Sequence, residues 1–206
     1  MNKRIQHTNM KKILSLLVIL GTLHVNAQSG QKNKSYLMPQ LGVLSGDQAN
    51  SFQFQLVGGV TAKNWRIGMG TGLDYYKVRS VPVFADVRHY FGKNKKAFSF
   101  ANIGYNVPWP LENQYKIFFI QGASTKSKFD MGWYSDLGLG YDIGLGKQNA
   151  LSLSLSYSVK AFTETYDERL DWIWGWPITQ PVGSASERKV DYTFRRLSLK
   201  AGFRLW

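Results

Sequence analysis

FDMGWYSDLGLGYDIGL, residues 129–145, separates by parity. The odd positions are Phe129, Met131, Trp133, Ser135, Leu137, Leu139, Tyr141, Ile143 and Leu145; the even positions hold only Asp130, Gly132, Tyr134, Asp136, Gly138, Gly140, Asp142 and Gly144. Side chains alternate across a β-strand, so this segment predicts a strand with one broad apolar face and one face of glycine and carboxylate. A soluble sheet would carry Lys, Glu and Thr on its wet side. Glycine and aspartate opposite a continuous apolar face instead predict a narrow barrel, with lipid outside and a crowded bore.

The same alternation recurs in LSLSLSYSVK, residues 151–160, where Leu151, Leu153, Leu155, Tyr157 and Val159 alternate with serines and Lys160. Eight strands follow from the pattern: about 35–45, 51–62, 65–77, 81–91, 97–107, 129–145, 150–165 and 190–206. Lys63-Asn64 reads as a two-residue hairpin turn, and GKNKK (92–96) and GKQN (146–149) as further short turns. Longer connections fall at about 108–128 and 166–189. Short turns follow strands two, four and six, and both long loops follow odd strands. That is the arrangement of an even-stranded outer-membrane barrel with its termini on the periplasmic side. The expected fold is an all-β, eight-stranded, antiparallel up-and-down transmembrane barrel.

The chain opens on a basic segment with Lys3, Arg4, Lys11 and Lys12, followed by the apolar run ILSLLVILGTL (13–23) and by Val25-Asn26-Ala27. This is the layout of a cleavable signal peptide over 1–27, leaving 28–206 as one barrel domain. Met10 would itself open an ordinary signal, so Met1 and Met10 are both candidate starts. The apolar run falls short of the roughly 20 residues that span a bilayer as a helix. Insertion as a closed barrel is the remaining route, because only helices and closed barrels satisfy their backbone in hydrocarbon. The absence of cysteine excludes disulfides and thiolate metal sites, and no cofactor or metal is expected. The formal charge of +13 includes four leader cations. In an exported chain it points to outer-membrane lipids and the phosphates of a surface glycolipid rather than to nucleic acid, or simply to lysines that solvate turns.

The inward phase gathers Arg66, Asp74, Asp86, Arg88, Asp136, Asp142, Lys160, Arg196, Lys200 and Arg204. Buried charges need partners, so these predict an ionic plug; a gated ion path is the alternative reading. Counting through the 146–149 turn puts Asp136 across from Lys160, a pairing that a two-residue slip undoes. Tyr192 and Phe194 break the phase set by Leu197, Leu199, Ala201, Phe203 and Leu205, which predicts a β-bulge near Arg195-Arg196. His89, the one histidine after the leader, lies on the outward phase beside a short turn. That is the wrong end for acyl chemistry on the outer leaflet, so no catalytic residue is assigned and a lipid-modifying enzyme is the weakest reading. Gly68-Met69-Gly70-Thr71-Gly72 falls inside strand periodicity and is not read as a phosphate loop. Trp172, Trp174 and Trp176 in the last long loop suit an aromatic belt or a surface contact for sugar or protein. A soluble lipocalin-like barrel would turn the Gly/Asp phase to water and leave it poor in solvating side chains.

GMGTGLDYYKVRSVPVFADVRHYF, residues 68–91, resembles the central hairpin of the small porin-like outer-membrane β-barrel proteins common in Bacteroidota. Leu73-Asp74-Tyr75-Tyr76, Arg79-Ser80-Val81-Pro82 and Asp86-Val87-Arg88 carry the likeness. Gly202-Phe203-Arg204-Leu205-Trp206 is similar to the terminal strand that barrel-assembly machinery reads, although Trp206 falls off the outward phase. The resemblance implies a fold and an outer-membrane location, and members of that family largely lack a defined activity.

Overall fold

The computed structural model describes residues 34–46, 49–110, 128–146, 149–168, 172–173, 176–177 and 186–205. The leader reading, Trp174, Lys147 and Trp206 lie outside them. Ten strands follow in chain order: β1 (Lys34–Gly46), β2 (Ala49–Ala62), β3 (Trp65–Asp74), β4 (Ser80–Phe91), β5 (Ala97–Pro108), β6 (Lys128–Gly144), β7 (Ala150–Glu168), β8 (Trp172–Ile173), β9 (Trp176–Pro177) and β10 (Ser186–Arg204). Eight of them close an antiparallel barrel in the order β1-β10-β7-β6-β5-β4-β3-β2, while β8 and β9 form a separate two-stranded sheet. Each barrel strand except the closing pair joins its neighbour in sequence. The closing β1–β10 ladder pairs Gln40 with Gly202 and Gly46 with Arg196, and Leu37 and Leu205 exchange backbone hydrogen bonds just beyond it.

Parity holds around the wall. Leu41, Phe52, Ile67, Tyr105, Leu139, Leu155 and Leu199 are exposed outside, whereas Gln40, Gln53, Asp86, Asn102, Asp136, Ser154 and Lys200 are buried inside. Leu139 is 62% exposed and its neighbour two places back, Leu137, 56%. An exterior this continuously apolar is costly in water at about 25 cal/mol per Å2 and suited to hydrocarbon. Aromatic side chains gather near both ends of that band. Trp65, Phe91 and Tyr141 stand toward the termini, and Tyr105, Trp109 and Trp133 toward the long connections. These are the girdles of a transmembrane barrel.

Glycines of the inward phase have a specific packing role. Gly70 lies beside Phe84 on β4, and Gly138 and Gly140 lie beside Phe100 and Phe98 on β5. A methyl group at any of the three would run into the neighbouring ring. Each glycine thus leaves room for an aromatic side chain on the next strand. Phe84 and Phe98 fill the bore as large, wholly buried side chains, and Phe100 is buried beside them.

Four expectations need correction. The third strand stops at Asp74 rather than 77, because residues 75–79 turn inward at the end of the barrel opposite the termini, burying Tyr76 and Val78. The β10–β7 ladder runs without interruption past Arg195 and Arg196. There is no bulge there; Tyr192 and Phe194 turn to the inner side, where Phe162, Tyr192 and Phe194 pack ring on ring. The bulge lies instead in β6, where the register with β7 shifts between Met131 and Tyr134. That shift moves Phe129 off the lipid-facing series, and its ring packs edge-on against Phe162 at 5.7 Å. Finally, the long loop after β7 is shorter than expected. The β7 and β10 strands extend to Glu168 and back to Ser186, and Trp172–Ile173 pairs with Trp176–Pro177 between them.

Candidate functional site: the ionic bore

All ten charged residues read onto the inward phase point into the bore, and they meet in four groups. Nearest the connections opposite the termini, Asp74 receives Lys160 Nζ at 3.1 Å on one carboxylate oxygen and Arg196 on the other. A middle group joins Lys200 to Asp136. Beside it Arg88 forks onto Asp86 with contacts of 2.9 and 3.0 Å. Toward the termini, Asp142 takes Arg66 at 3.1 Å and Arg204 at 3.3 Å. Six cations thus meet four carboxylates, and no carboxylate of the set lacks a cation.

The pairing differs from simple hairpin counting. The β6–β7 ladder closes at Gly144–Ala150, and Gly146 just beyond it has a φ of 96°. In the observed register Asp136 lies beside Ser158, two places from Lys160, and Tyr134 lies beside Lys160. The expected Asp136–Lys160 contact is replaced by two others. Lys160 reaches across the bore to Asp74 on β3, and Asp136 reaches over β7 to Lys200 on β10.

Lys160 does more than pair with a carboxylate. Its ammonium donates to the carbonyl oxygens of Tyr76 at 2.8 Å and Val78 at 2.9 Å, and to Ser80 Oγ at 3.1 Å. Both carbonyls belong to the 75–79 segment that turns into the mouth of the barrel. The Tyr76 amide also donates to Asp74 at 2.8 Å, and Arg196 lies 5.3 Å above the Tyr76 ring. Charge and backbone together hold this segment across the opening. An ammonium wholly removed from solvent needs such donations, because nothing else replaces its water.

Uncharged polar groups complete the network. Tyr36 donates to Asp86 at 3.2 Å, and Asn102, with its amide turned the other way round, donates to the same carboxylate at 2.7 Å. Gln55 donates to Tyr134 Oη at 2.8 Å and Gln53 to Ser198, while Tyr90 donates to Asp142 at 3.1 Å. The guanidinium of Arg66 stands 4.0 Å over the Tyr90 ring, and Lys200 Nζ lies 4.6 Å over Phe100. Inward tyrosines and glutamines were not among the expected site residues, yet their places on the inward phase of β1, β2, β4 and β6 carried the signal. Glu164 was missed too: it is buried and accepts from Tyr192 at 3.1 Å.

His89 stands on the outer wall. Its ring leans on Trp65 at 4.4 Å and faces Phe91 at 6.5 Å, an aromatic cluster at the terminus end of the lipid-facing band. The backbones of Trp172 and Trp176 are paired through β8 and β9.

An apolar exterior, aromatic girdles and a bore filled by paired charges define an eight-stranded antiparallel transmembrane β-barrel. No family model matches the chain, and no curated protein matches its sequence. Among solved structures it is similar to the outer membrane protein AlkL, seen by solid-state NMR in DMPC bilayers, at 12% identity and a TM-score of 0.47 over 87% of this chain and 94% of that one. It is also similar to Neisserial surface protein A, at 12% identity and 0.45 over 83% and 96%. A third is OprG of Pseudomonas aeruginosa, at 13% identity and 0.45 over 85% and 98%. At these identities the likeness is one of fold.

Proposed function

We propose that this chain is a non-enzymatic outer-membrane barrel, exported by its 1–27 leader, with its termini in the periplasm. Its bore is a structural plug, and its role in the envelope is structural or one of surface contact through the loops opposite the termini. The Lys160 clamp is the observation that carries this reading. One buried ammonium ties Asp74, Ser80 and two carbonyls of the 75–79 segment together across the mouth. Below it, whole side chains of Arg88, Phe84, Phe98 and Lys200 occupy the centre. An eight-stranded barrel has an interior just wide enough for such side chains. Membership of the Bacteroidota barrels, assembly by barrel-assembly machinery, and contact of the outer loops and Trp172, Trp174 and Trp176 with surface glycolipid or an extracellular ligand belong to the same proposal.

Planar-bilayer recording tests it. The plug predicts no stepwise openings at physiological salt. Reproducible unitary currents from the wild-type barrel would favour the pore reading instead. Replacing His89 with Ala is expected to leave the lipid composition of the host membrane unchanged, since its ring is committed to Trp65 and Phe91.

A further inference from the structure

The two rims of the barrel carry different charge. At the terminus end emerge the start of β1, the β2–β3 turn at 63–64, the β4–β5 turn at 92–96 and the β6–β7 turn at 145–149. The exposed cations described there are Lys34, Lys63, Lys93, Lys95 and Lys96. Among the described residues of that rim the only carboxylate is Asp142, which is buried and already held by two arginines. The opposite rim is mixed: Lys128 pairs with Asp130 at 3.4 Å, and Asp191 accepts from Thr163. The exposed charge of the terminus rim is therefore all cationic among the described residues, whereas the opposite rim holds lysines and carboxylates together.

Their height is also fixed. Lys63 and Lys95 occupy left-handed turn positions, at φ of 55° and 47°, in connections too short to reach away from the wall. Trp65 lies two residues from Lys63, and Phe91 two from Lys93, and both rings are exposed on the lipid side. Aromatic side chains of this kind settle at the boundary between hydrocarbon and headgroups. The ammonium groups one turn beyond them stand at phosphate depth, where cations gather anionic lipid.

We propose that this rim is a collar that binds the headgroups of anionic phospholipids in the leaflet around the terminus end. The inference rests on the transmembrane reading above. Short, low turns and flanking lipid-facing rings favour phospholipid over a polymer lying farther from the membrane.

The full chain, folded into bilayers of phosphatidylglycerol and phosphatidylcholine, provides the test. Electron paramagnetic resonance of spin-labelled lipids measures which headgroup the protein retains in its first shell. The variant Lys63→Asn/Lys93→Gln/Lys95→Asn/Lys96→Gln removes the four turn lysines of the collar, with asparagine chosen where φ is positive. Lys189→Gln/Arg195→Gln serves as the control at the other rim. The proposal expects wild type to favour phosphatidylglycerol by roughly threefold over its bulk fraction. That preference should fall with added salt, vanish in the fourfold variant and survive in the control. No preference in wild type, or one that the fourfold variant keeps, overturns it. Retention on a soluble anionic glycan without headgroup preference also overturns it and assigns the rim to a polymer. Unheated and boiled samples of each protein are run on a gel beside the measurement. A heat-shifted band with no lipid preference defeats the collar alone, whereas loss of the shifted band defeats the barrel reading on which it rests.

Discussion

Lys160 is the side chain on which the closed mouth depends. It satisfies one carboxylate, two carbonyls and a hydroxyl at once. Its replacement by Met would leave Arg196 as the one cation on Asp74 and take the ammonium from the carbonyls of Tyr76 and Val78, of which Tyr76 keeps the Val78 amide at 2.7 Å. Removing one partner of a buried pair costs about 3–5 kcal/mol. Lys160→Met should therefore lower the temperature at which the folded gel band converts to the unfolded one, and should admit measurable current where the wild type shows none. A Lys160→Met barrel of wild-type heat stability would mean that the clamp is incidental. Glycine 70 offers a second check. Ala at that position meets the Phe84 ring and a Val57 methyl, an overpacking cost of about 1–3 kcal/mol. Phe84→Leu in the same chain should recover part of that loss, because the two residues share one space. If the two effects simply add in urea titration, the glycine–aromatic fit is not what fills the bore. Parity had already marked these residues as inward. It did not reveal who meets whom, because partners such as Lys160 and Asp74 lie on opposite walls, 86 residues apart in sequence.

At the scale of the strand, each element was readable where its alternation is clean and misread where a local event intervenes. The LSLSLSYS run of β7 gave both faces correctly. In β6 the shift between Met131 and Tyr134 is invisible to counting, since the residues on either side of it read as one unbroken series. In β10 the aromatics at 192 and 194 looked like a phase error, though they are inward packing partners of Phe162. Apolar residues mark lipid contact and interior packing alike, so hydrophobicity alone does not distinguish them. The distinction can be tested on two neighbouring strands, β6 and β7. Leu139→Arg, well within the apolar band, should cost about 2–4 kcal/mol in folding into vesicles. Thr163→Arg, at the loop end of β7, should cost far less. Equal effects at the two positions would show that the band is not in hydrocarbon.

For the molecule as a whole, the eight-stranded closure, the side on which the long connections fall and the gathering of ten charges in one bore all follow from period-two patterning and strand number. The specific ion pairs, the inward-turning 75–79 segment and the buried tyrosine and glutamine network depend on register around the barrel. Register is what separates the two outcomes: the observed ladder puts Asp136 beside Ser158, two places from Lys160, and its carboxylate meets Lys200 instead. The absence of cysteine makes the whole wall open to single-site labelling without background. Nitroxides placed one at a time at Leu151 through Val159 in a folded, bilayer-embedded barrel measure the central claim most directly. Collision with oxygen, which concentrates in hydrocarbon, should be high at Leu151, Leu153, Leu155 and Tyr157. It should be low, with immobilised spectra, at Ser152, Ser154, Ser156 and Ser158. The reverse phase, or leucine positions that collide preferentially with a water-soluble nickel chelate, would place the apolar face in a core and contradict the account.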